Sequence, residues 1–427
     1  MAATRKPLLS LLSRVSRASR RSYGAVAEGS TSSSPSSSNH LINLEYEYSA
    51  HNYHPVPVVF SQAKGSSIWD PEGKKYLDFL SAYSAVNQGH CHPKITKAFQ
   101  EQAERLTLSS RAFYNDRFPV FAERLTSMFG YEMVLPMNTG AEGVETALKL
   151  ARKWGYEKKK IPKDEAIIVS CCGCFHGRTL AVISMSCDNE ATRGFGLLLP
   201  GHVKVDFGDD VALEKIFEEH GHRIAGFLFE PIQGEAGILG KALGGGVIPV
   251  SAVLADKDVM LCIRPGEHGS TFGGNPLASA VAIASLDVIQ EEKLAERSAH
   301  LGQELLHQLL KIQEQFPNYI KEVRGRGLFT AVEFNSRTLF PVSAYDICLK
   351  MKERGVLAKP THDTIVRLTP PLCMSPDELQ EGSKVLRDVL ELDLPNLQKT
   401  KPKDSPTTAT ICDRCGRNLY DSSDKDL

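Results

Sequence analysis

The chain has 427 residues, of which 42% are hydrophobic and 24% charged, and its formal net charge is -1. This is the composition of a soluble globular protein long enough for two or three domains, and the near-zero net charge argues against a nucleic-acid or anionic-membrane partner. The ten cysteines follow no framework spacing, and Cys171, Cys172 and Cys174 crowd together in a way that suits reduced thiols. We therefore expect small-molecule chemistry in a reducing compartment.

Residues 1–40 have the composition of a transit peptide. They are rich in serine, they contain leucines, and their only acidic residue is Glu28, whereas their basic residues are Arg5, Lys6, Arg14, Arg17, Arg20 and Arg21. The apolar stretch is too short for a secretory signal or a membrane span. We expect mitochondrial targeting to the matrix with cleavage after Arg21. A chloroplast address and a merely disordered basic tail are the alternatives.

Two short strands joined by a turn are predicted over residues 67–80, where D-P-E-G supplies the proline and glycine of the turn. The next stretch, residues 81–93, reads S-A-Y-S-A-V-N-Q-G-H-C-H-P and is a loop dense in hydrogen-bonding side chains. His90, Cys91 and His92 lack a second ligand pair at zinc spacing, which favours a structural or substrate-adjacent loop over a metal site.

A helix is predicted from about Ala141 towards Lys158, because apolar residues recur there at helical spacing. The sequence at its entrance is N-T-G-A. Small residues at a helix N-terminus expose backbone N–H groups at the positive end of the helix dipole, which is a site for a phosphate. The alternative is an ordinary helix capped by Thr139.

A single lysine, Lys241, stands between a short apolar run and a glycine cluster in I-L-G-K-A-L-G-G-G-V-I-P, residues 238–249. Removal of its amine from water would lower the amine pKa and allow it to attack a carbonyl, so Lys241 is a candidate Schiff-base lysine. The alternative is a strand-end lysine that extends to the surface. A Schiff-base lysine combined with a phosphate site predicts pyridoxal 5'-phosphate as the cofactor.

The intervening chain alternates between strand and helix. Apolar runs at 166–171 and 226–232 are predicted strands, the polar stretch 210–220 is compatible with a helix, and the alternation predicts a parallel sheet covered by helices. Between the runs, C-F-H-G-R-T offers Phe175 or His176 to lie flat on an aromatic cofactor and Arg178 to bind a carboxylate.

The C-terminal part is predicted to form an α/β domain that closes over the site. It contains an amphipathic helix at 291–316, a turn into a strand at 323–334, a helix at 345–355 and a short strand at 365–368. Residues 396–427 are expected to be disordered. Cys412 and Cys415 form one C-x-x-C without a second pair, so zinc binding there is the weaker interpretation.

Taken together, the motifs resemble class III aminotransferases, and among them those that act on ornithine. The resemblance covers about residues 44–395, and the terminal C-D-R-C-G-R is similar to plant members. The resemblance to the family rests on eight motifs, which stand in the family's order: H-N-Y-H-P-V-P-V, S-A-Y-S-A-V-N-Q-G-H-C-H-P, M-N-T-G-A-E-G-V-E-T-A, F-H-G-R-T, F-E-P-I-Q-G-E-A-G, L-G-K-A-L-G-G-G, G-E-H-G-S-T-F-G-G-N-P and V-R-L-T-P-P-L.

The resemblance implies an α/β protein of aminotransferase fold type I, with a mainly parallel sheet in a large domain and a smaller α/β domain. The expected divisions are the N-terminal segment of the small domain (41–83), the large cofactor-binding domain (84–290), the C-terminal small domain (291–395) and the tail (396–427). Membership would also make the protein a homodimer or a higher homo-oligomer.

The resemblance also implies the residues of a cofactor site. Lys241 would hold the cofactor and then move the proton between the substrate Cα and the cofactor. Gly140 and Ala141 would bind the phosphate through backbone N–H groups, and Thr271 would reach the phosphate of the neighbouring subunit. Phe175 would stack on the pyridine ring, and Gln233 or Glu230 would lie near its edge. His176 also belongs to the expected cofactor-binding residues.

Substrate binding is implied for five further residues. Tyr53 and Arg178 would hold the ornithine α-carboxylate, and Tyr83 would lie in the substrate site. Glu235 would pair with Arg367 in the first half-reaction and release it to bind 2-oxoglutarate in the second. The pair would let one site accept first a cation and then a diacid.

One stretch departs from the family pattern. The family continues from E-A-G through a helix and a strand that ends in an I-A-D-E-I-Q type motif before it returns to L-G-K, whereas here Gly237 is followed directly by Ile238. The absent stretch is about fifty residues, equivalent to a helix, one strand and most of another. It contains the aspartate that pairs with the pyridine nitrogen, and no acidic residue near Lys241 replaces it. We expect an incomplete large-domain sheet, since neighbouring parallel strands need a crossover of about a dozen residues or more.

The expected reaction is therefore the transfer of the ornithine δ-amino group to 2-oxoglutarate, giving glutamate semialdehyde and glutamate, in arginine and ornithine catabolism and proline synthesis. We expect activity to be impaired by loss of the aspartate. Transamination of acetylornithine or of a γ-amino acid is one alternative. An inactive truncated subunit that acts only by dimerisation is the other.

Overall fold

The computed structural model describes residues 37–231, 242–361 and 364–401, apart from the side chains of residues 189 and 190. The predicted site residues Gln233, Glu235 and Lys241 therefore lie outside the described residues. The transit segment up to residue 36 and the C-x-x-C of the tail lie outside them as well.

The strands in chain order are β1 (Gln62–Lys64), β2 (Ser67–Trp69), β3 (Lys75–Asp78), β4 (Met133–Met137), β5 (Ile167–Cys171), β6 (His202–Val205), β7 (Ile224–Leu228), β8 (Ser251–Ala255), β9 (Ile320–Arg326), β10 (Phe329–Phe334), β11 (Val356–Leu357), β12 (Lys359–Thr361) and β13 (Ile365–Leu368). The helices are α1 (Ser38–Tyr48), α2 (Pro93–Ala103), α3 (Phe118–Phe129), α4 (Gly140–Glu157), α5 (Leu180–Ile183), α6 (Asn189–Thr192), α7 (Asp210–His220), α8 (Lys257–Met260), α9 (Pro276–Glu291), α10 (Leu294–Gln315), α11 (Ser336–Leu339), α12 (Ala344–Glu353), α13 (Pro376–Asp388) and α14 (Leu394–Thr400).

One sheet combines strands from the first and the last parts of the described chain. β3 pairs with β11 in parallel, which joins the sheet β1-β2-β3-β11 from both ends of the sequence. The C-terminal strands form a second sheet in the order β12-β13-β10-β9. The turn between β2 and β3 is the predicted D-P-E-G turn, with the Gly73 N–H bonded to the Asp70 carbonyl at 3.0 Å.

The sheet of the large domain is interrupted, as the sequence led us to expect. β6, β5 and β7 form a parallel sheet in that order, whereas β4 and β8 form a separate antiparallel pair. Within the described residues, β7 pairs only with β5 and β8 pairs only with β4. The chain passes from β7 to β8 through the junction of Gly237 and Ile238, so the break in the sheet coincides with the break in the family pattern.

Helix α4 packs against strands from both parts of the interrupted sheet, because it contacts β7 as well as β8. Gly155 permits this close approach: a Cβ atom there would lie 3.0 Å from the Ala225 side chain and 2.9 Å from that of Ile161. The predicted helix from Ala141 towards Lys158 is thus confirmed. It connects the two parts of the interrupted sheet.

Several predicted boundaries differ from the structure. Helix α1 begins at Ser38, inside the segment expected to lie outside the fold, because Ser37 caps the helix and Ser38 bonds Glu72. Helix α14 extends past residue 396 because Gln398 bonds Tyr319 and the Thr338 carbonyl. The predicted strand at 226–232 ends at Leu228, three residues before Pro231, which cannot donate to a ladder.

The turn into a strand predicted at 323–334 is instead a hairpin of two strands, β9 and β10. In the part of the chain that the structure describes, none of the helices combines the length and the apolar character that a membrane span requires.

Candidate active site

A cavity of about 1020 Å³ lies between the two parts of the interrupted sheet. Residues 228–231 at the end of β7 line one side, residues 251–254 of β8 line another, and the N-terminal turn of α4 lines a third. The wall is largely apolar, and the volume is that of a cofactor or ligand site. The cavity is therefore the candidate active site.

The N-terminus of α4 provides backbone donors at this wall. Thr139 Oγ1 accepts a hydrogen bond from the Glu142 N–H at 3.2 Å, and the Glu142 carboxylate accepts the N–H groups of Asn138 and Thr139 at 2.8 and 3.0 Å. This capping box does not use the N–H groups of Gly140 and Ala141, which belong to the first turn and have no intrahelical acceptor. Both residues line the cavity, so they are placed to bind an anion. Thr139 is therefore the N-cap, as the second interpretation of the motif predicted, and phosphate binding by Gly140 and Ala141 stays a prediction.

The capping box also fixes the charge state of Glu142. Burial raises the pKa of its carboxyl group, but the N–H bonds from Thr139 and Asn138 lower it by more, so the pKa lies below the ordinary value. The group is thus ionised near neutral pH. Its charge stabilises the end of the helix at which the cofactor phosphate would bind.

Two polar residues that sequence reasoning missed support this turn. Ser251 Oγ donates to the Thr139 carbonyl at 2.7 Å, and Asn138 Nδ2 donates to Ser270 Oγ at 2.9 Å. Asn138 could have been found from the N-T-G-A motif, whereas Ser251 reaches the site only through the pairing of β4 with β8. Thr271 follows Ser270 and is exposed, and its role across a subunit interface remains a prediction.

Phe175, His176 and Glu230 line the same cavity, as the sequence predicted for one site. The Phe175 backbone N–H donates to the Glu230 carboxylate at 3.1 Å, and Glu230 is only 7% exposed. The Nε2 atom of His176 is buried and has no hydrogen-bond partner. Burial also lowers the pKa of His176, so its ring is neutral at physiological pH.

The two residues predicted to bind the substrate carboxylate, Arg178 and Tyr53, do not lie together. The Arg178 guanidinium lies 5.3 Å from the centre of the Phe175 ring and pairs with Asp188 at 3.5 Å. Tyr53 is 72% exposed and does not line the cavity. The structure therefore brings Arg178 beside the candidate site but does not bring Tyr53 to it.

Tyr83 and Arg367 form a second cluster next to the cavity. The Arg367 guanidinium lies 5.8 Å from the centre of the Tyr83 ring, is 5% exposed and donates to Thr361 Oγ1 at 2.7 Å. Ala82 and Ala85, which flank Tyr83, line the cavity wall. Glu235, the predicted partner of Arg367, lies outside the described residues.

A left-handed turn presents Tyr83. Residues 81–84 all have positive φ angles, between 44° and 65°, which is unfavourable for residues with a side chain. The turn is fixed by the buried Asp78, whose carboxylate accepts the N–H groups of Leu80 and Ser81, each at 2.8 Å. Such strain at a candidate substrate residue fits a functional position.

His90 and His92 each bond a carboxylate: His90 Nε2 lies 2.8 Å from Asp78, and His92 Nε2 lies 2.8 Å from Glu292. No cluster of three or more metal-ligating side chains occurs in the described ranges. The histidines of this loop therefore act in its structure, since His90 supports the same Asp78 that fixes the left-handed turn.

The residues present fit pyridoxal phosphate. The N–H groups of Gly140 and Ala141 suit a phosphate, the unpartnered Nε2 of His176 suits a polar atom on an aromatic ring, and Phe175 offers an aromatic side chain. Of the described residues that line the cavity, only Glu230 has a carboxylate. Lys241, the predicted covalent anchor, adjoins Ala242 in sequence, and Ala242 accepts a bond from Gln88.

Comparison with known proteins gives matches over most of the chain. The family model described as aminotransferase class-III matches residues 48–239 and 238–390. A relative named "Ornithine aminotransferase, mitochondrial" from Arabidopsis thaliana is 69% identical, with 98% of this chain and 100% of the relative covered. The solved ornithine aminotransferase of Toxoplasma gondii has a TM-score of 0.80 at 35% identity and covers 92% of this chain and 100% of its own. The solved acetylornithine aminotransferase of Elizabethkingia anophelis has a TM-score of 0.74 at 43% identity, with 83% and 100% covered.

The same matches locate the gap in the chain. The alignment with the Arabidopsis relative runs over 474 residues, more than the 427 of this chain, so the relative contains residues that this chain lacks. The two segments matched by the family model meet at residues 238 and 239. This is the position at which the sequence departs from the family pattern, and along the chain it lies between β7 and β8.

Proposed function

Because the chain belongs to the class-III aminotransferases, which use pyridoxal phosphate, we propose that its reaction is the transfer of the ornithine δ-amino group to 2-oxoglutarate. The products would be glutamate semialdehyde and glutamate. The observation that carries this proposal is the convergence of the α4 N-terminus, Phe175, His176 and Glu230 on one cavity.

The residues of the chain would have separate roles in holding the cofactor and in moving the proton. The N–H groups of Gly140 and Ala141 bind the phosphate, and the neutral His176 bonds a polar atom of the ring. Lys241 anchors the cofactor and moves the proton at the substrate carbon. When bound, pyridoxal phosphate supplies the electron sink that the substrate needs when its C–H bond breaks.

The substrate residues would select first a diamine acid and then a diacid. Arg178 beside Phe175 binds the ornithine carboxylate, whereas Tyr53, its predicted partner, is 72% exposed and does not line the cavity. Arg367, buried beside Tyr83, binds a carboxylate of 2-oxoglutarate once Glu235 releases it. Thr271 would reach the phosphate site of a second subunit, which makes a homodimer part of the proposal.

A second candidate reaction is the transamination of acetylornithine. The solved acetylornithine aminotransferase is 43% identical to this chain, whereas the Arabidopsis relative named for ornithine is 69% identical, which ranks this reaction second. The two substrates differ in whether the α-amine is acetylated. Parallel assays with ornithine and N-acetylornithine would separate them.

We further propose that the chain alone turns over slowly or not at all. The predicted partner of the pyridine nitrogen would lie among the residues that this chain lacks relative to the Arabidopsis protein, and an uncharged ring is a poorer electron sink. β7 and β8 would also present unpaired edges to the cavity. A role as a truncated subunit that pairs with an intact one would follow from such a loss. Matrix localisation is proposed from the basic N-terminal segment and from relatives named mitochondrial.

The experiment is a titration of the purified chain with pyridoxal phosphate, followed by borohydride reduction and peptide mapping. A stoichiometric adduct on Lys241 that no longer forms when ornithine is added before reduction supports the aminotransferase site, because the substrate amine has displaced Lys241. Formation of glutamate from added 2-oxoglutarate is the result that would contradict the proposed impairment. An adduct on Lys241 that does not respond to ornithine supports cofactor binding with lost turnover. Labelling spread over surface lysines contradicts the site itself.

A further inference from the structure

Two thiols on the loop that carries Phe175 and His176 are in direct contact. The sulfur atoms of Cys172 and Cys187 lie 2.7 Å apart, closer than two sulfurs that merely pack together. Cys172 directly follows β5, and Cys187 lies beyond α5. The two residues therefore stand at the two ends of the segment that supplies the candidate ring-binding residues.

The backbone holds each end in place independently. The Cys172 N–H donates to the Val205 carbonyl of β6 at 2.7 Å. On the other side, the Ser186 N–H bonds the Ile183 carbonyl at 3.0 Å, and the Asp188 N–H bonds Ser186 Oγ at 3.0 Å. The thiols are thus brought together by anchored backbone on both sides.

The neighbouring cysteines are less suited to react. Burial raises the pKa of the Cys174 thiol to about 11, with a further contribution from Glu230, and burial also raises the pKa of Cys171. Neither forms much thiolate near neutral pH, and the thiolate is the reactive form. Cys172 and Cys187 are both partly exposed, so a small oxidant can reach them.

We propose that Cys172 and Cys187 are a disulfide site: oxidation by a low-molecular-mass disulfide joins them and closes the loop that carries Phe175 and His176. One protein thiolate attacks the small disulfide, forms a mixed disulfide and releases one small thiol. The second protein thiolate then attacks the mixed disulfide at the protein sulfur and releases the other small thiol. Two electrons pass to the small disulfide, and the two protons of the protein thiols end on the released thiols.

The bond would restrict the candidate cofactor site. Arg178 and its partner Asp188 lie on the same stretch of chain, so the closed loop would also restrict the carboxylate-binding arginine. The inference does not depend on the proposed transamination, because the disulfide forms from the two thiols whether or not the cofactor site is competent. Its tests can therefore fail or succeed separately.

The first experiment equilibrates the full chain with glutathione disulfide, blocks remaining thiols and digests the protein with trypsin. Cleavage after Arg178 separates Cys172 from Cys187, so the disulfide joins peptide 164–178 to peptide 179–193. We expect this linked pair in the oxidised protein and its loss on addition of dithiothreitol. Mixed glutathione adducts alone, or a link between two chains, would overturn the proposal.

Two serine variants assign the sulfurs. Cys172→Ser should abolish the linked pair, whereas the matched variant Cys174→Ser should retain it. A linked pair that persists in Cys172→Ser would show that a neighbouring cysteine reacts instead.

Hydrogen exchange of the unsubstituted chain tests the effect on the loop without a variant: we expect amides of residues 173–186 to exchange at least about fivefold more slowly after oxidation. Equal exchange rates in the oxidised and reduced chains would contradict the proposed closure of the loop.

Discussion

The backbone N–H of Phe175 donates to the carboxylate of Glu230 across 3.1 Å, and this bond joins the loop after β5 to the segment after β7. The two strands are parallel neighbours, so their carboxyl ends meet at one edge of the sheet, where α/β proteins bind ligands. Glu230 is almost fully buried, and a buried carboxylate persists only with hydrogen-bond partners. The bond therefore sets the position of Phe175 at the cavity.

Replacement of Glu230 by alanine should weaken cofactor binding. The substitution leaves the Phe175 N–H without its acceptor, which costs about 1–3 kcal/mol, or about tenfold or more in affinity if the loop must be reordered on binding. Glu230→Gln keeps an acceptor oxygen and should have the smaller effect. A pyridoxal phosphate titration measures both.

The matched control for Glu230 is Glu218→Gln on the exposed face of α7, which should bind the cofactor as the unsubstituted chain does. Equal affinity of Glu230→Ala and the unsubstituted chain would contradict a role of this carboxylate in the site.

Removal of the cap at Thr139 should affect stability and phosphate binding together. Thr139→Ala loses the bond to the Glu142 N–H, which costs about 1 kcal/mol of unfolding free energy. It should also weaken pyridoxal phosphate binding, because the turn that presents Gly140 and Ala141 is less well fixed. Urea denaturation and cofactor titration give the two quantities.

Ser343 offers the control for this prediction, because it caps α12 through the same kind of capping box and does not line the cavity. Ser343→Ala should cost a similar unfolding free energy and leave the cofactor affinity unchanged. A loss of affinity of the same size in both variants would mean that general destabilisation, and not the phosphate site, explains the effect.

The sequence predicted the elements whose signals are local. The helix that begins at Gly140 and the strand Ile365–Leu368 follow from periodicity and capping within a few residues. The positions of Ser251 and Tyr83 depend on partners far along the chain: Ser251 reaches Thr139 through a strand pair, and the turn at Tyr83 is held by bonds between Thr369 and residues 80 and 81. Long-range contacts of this kind carry no signal in the neighbouring sequence.

Replacement of Arg367 by lysine should weaken binding of 2-oxoglutarate. Lysine keeps the positive charge but loses the planar pair of donors that matches a carboxylate, and it cannot reproduce the contacts with Tyr83 and Thr361. We expect at least about a tenfold rise in the dissociation constant, measured by equilibrium dialysis. Arg324→Lys, at an exposed pair with Glu333, should leave the constant unchanged. Unaltered binding by Arg367→Lys would contradict the assignment of Arg367 to the 2-oxoglutarate site.

Acid should destabilise the protein through His202. Burial, with Arg152 and Lys204 nearby, lowers the pKa of His202 to about 4 from 6.5. Between these two pH values the unfolded chain binds a proton that the folded chain does not, so stability rises with pH across this window and is lost on acidification. In His202→Gln, the loss of unfolding free energy between pH 7 and pH 5 should be smaller by about 1 kcal/mol, because solvent partly screens this site. The test compares unfolding free energies at pH 7 and pH 5, with His300→Gln at an exposed site as the control. An unchanged slope in His202→Gln would contradict this assignment.

Restoring the missing stretch should repair the sheet and the site together. In a chain that carries the corresponding residues of the Arabidopsis relative between Gly237 and Ile238, β7 and β8 would gain partners on the edges that now border the cavity. Paired backbone amides exchange only on unfolding, so we expect amides of Ile224–Leu228 and Ser251–Ala255 to exchange at least about a hundredfold more slowly than in the present chain. The β9 and β10 hairpin belongs to a separate sheet and should exchange equally in both proteins, which makes it the internal control.

The restored chain should also regain the carboxylate that charges the pyridine ring, so ornithine turnover should rise by about a hundredfold or more if the electron sink is what this chain lacks. The two readouts separate the causes. Slower exchange without a gain in turnover would mean that the gap interrupts the sheet but is not what limits the reaction. Comparable turnover in the two chains would show that the present chain is competent with an interrupted sheet, and the proposed impairment would be wrong.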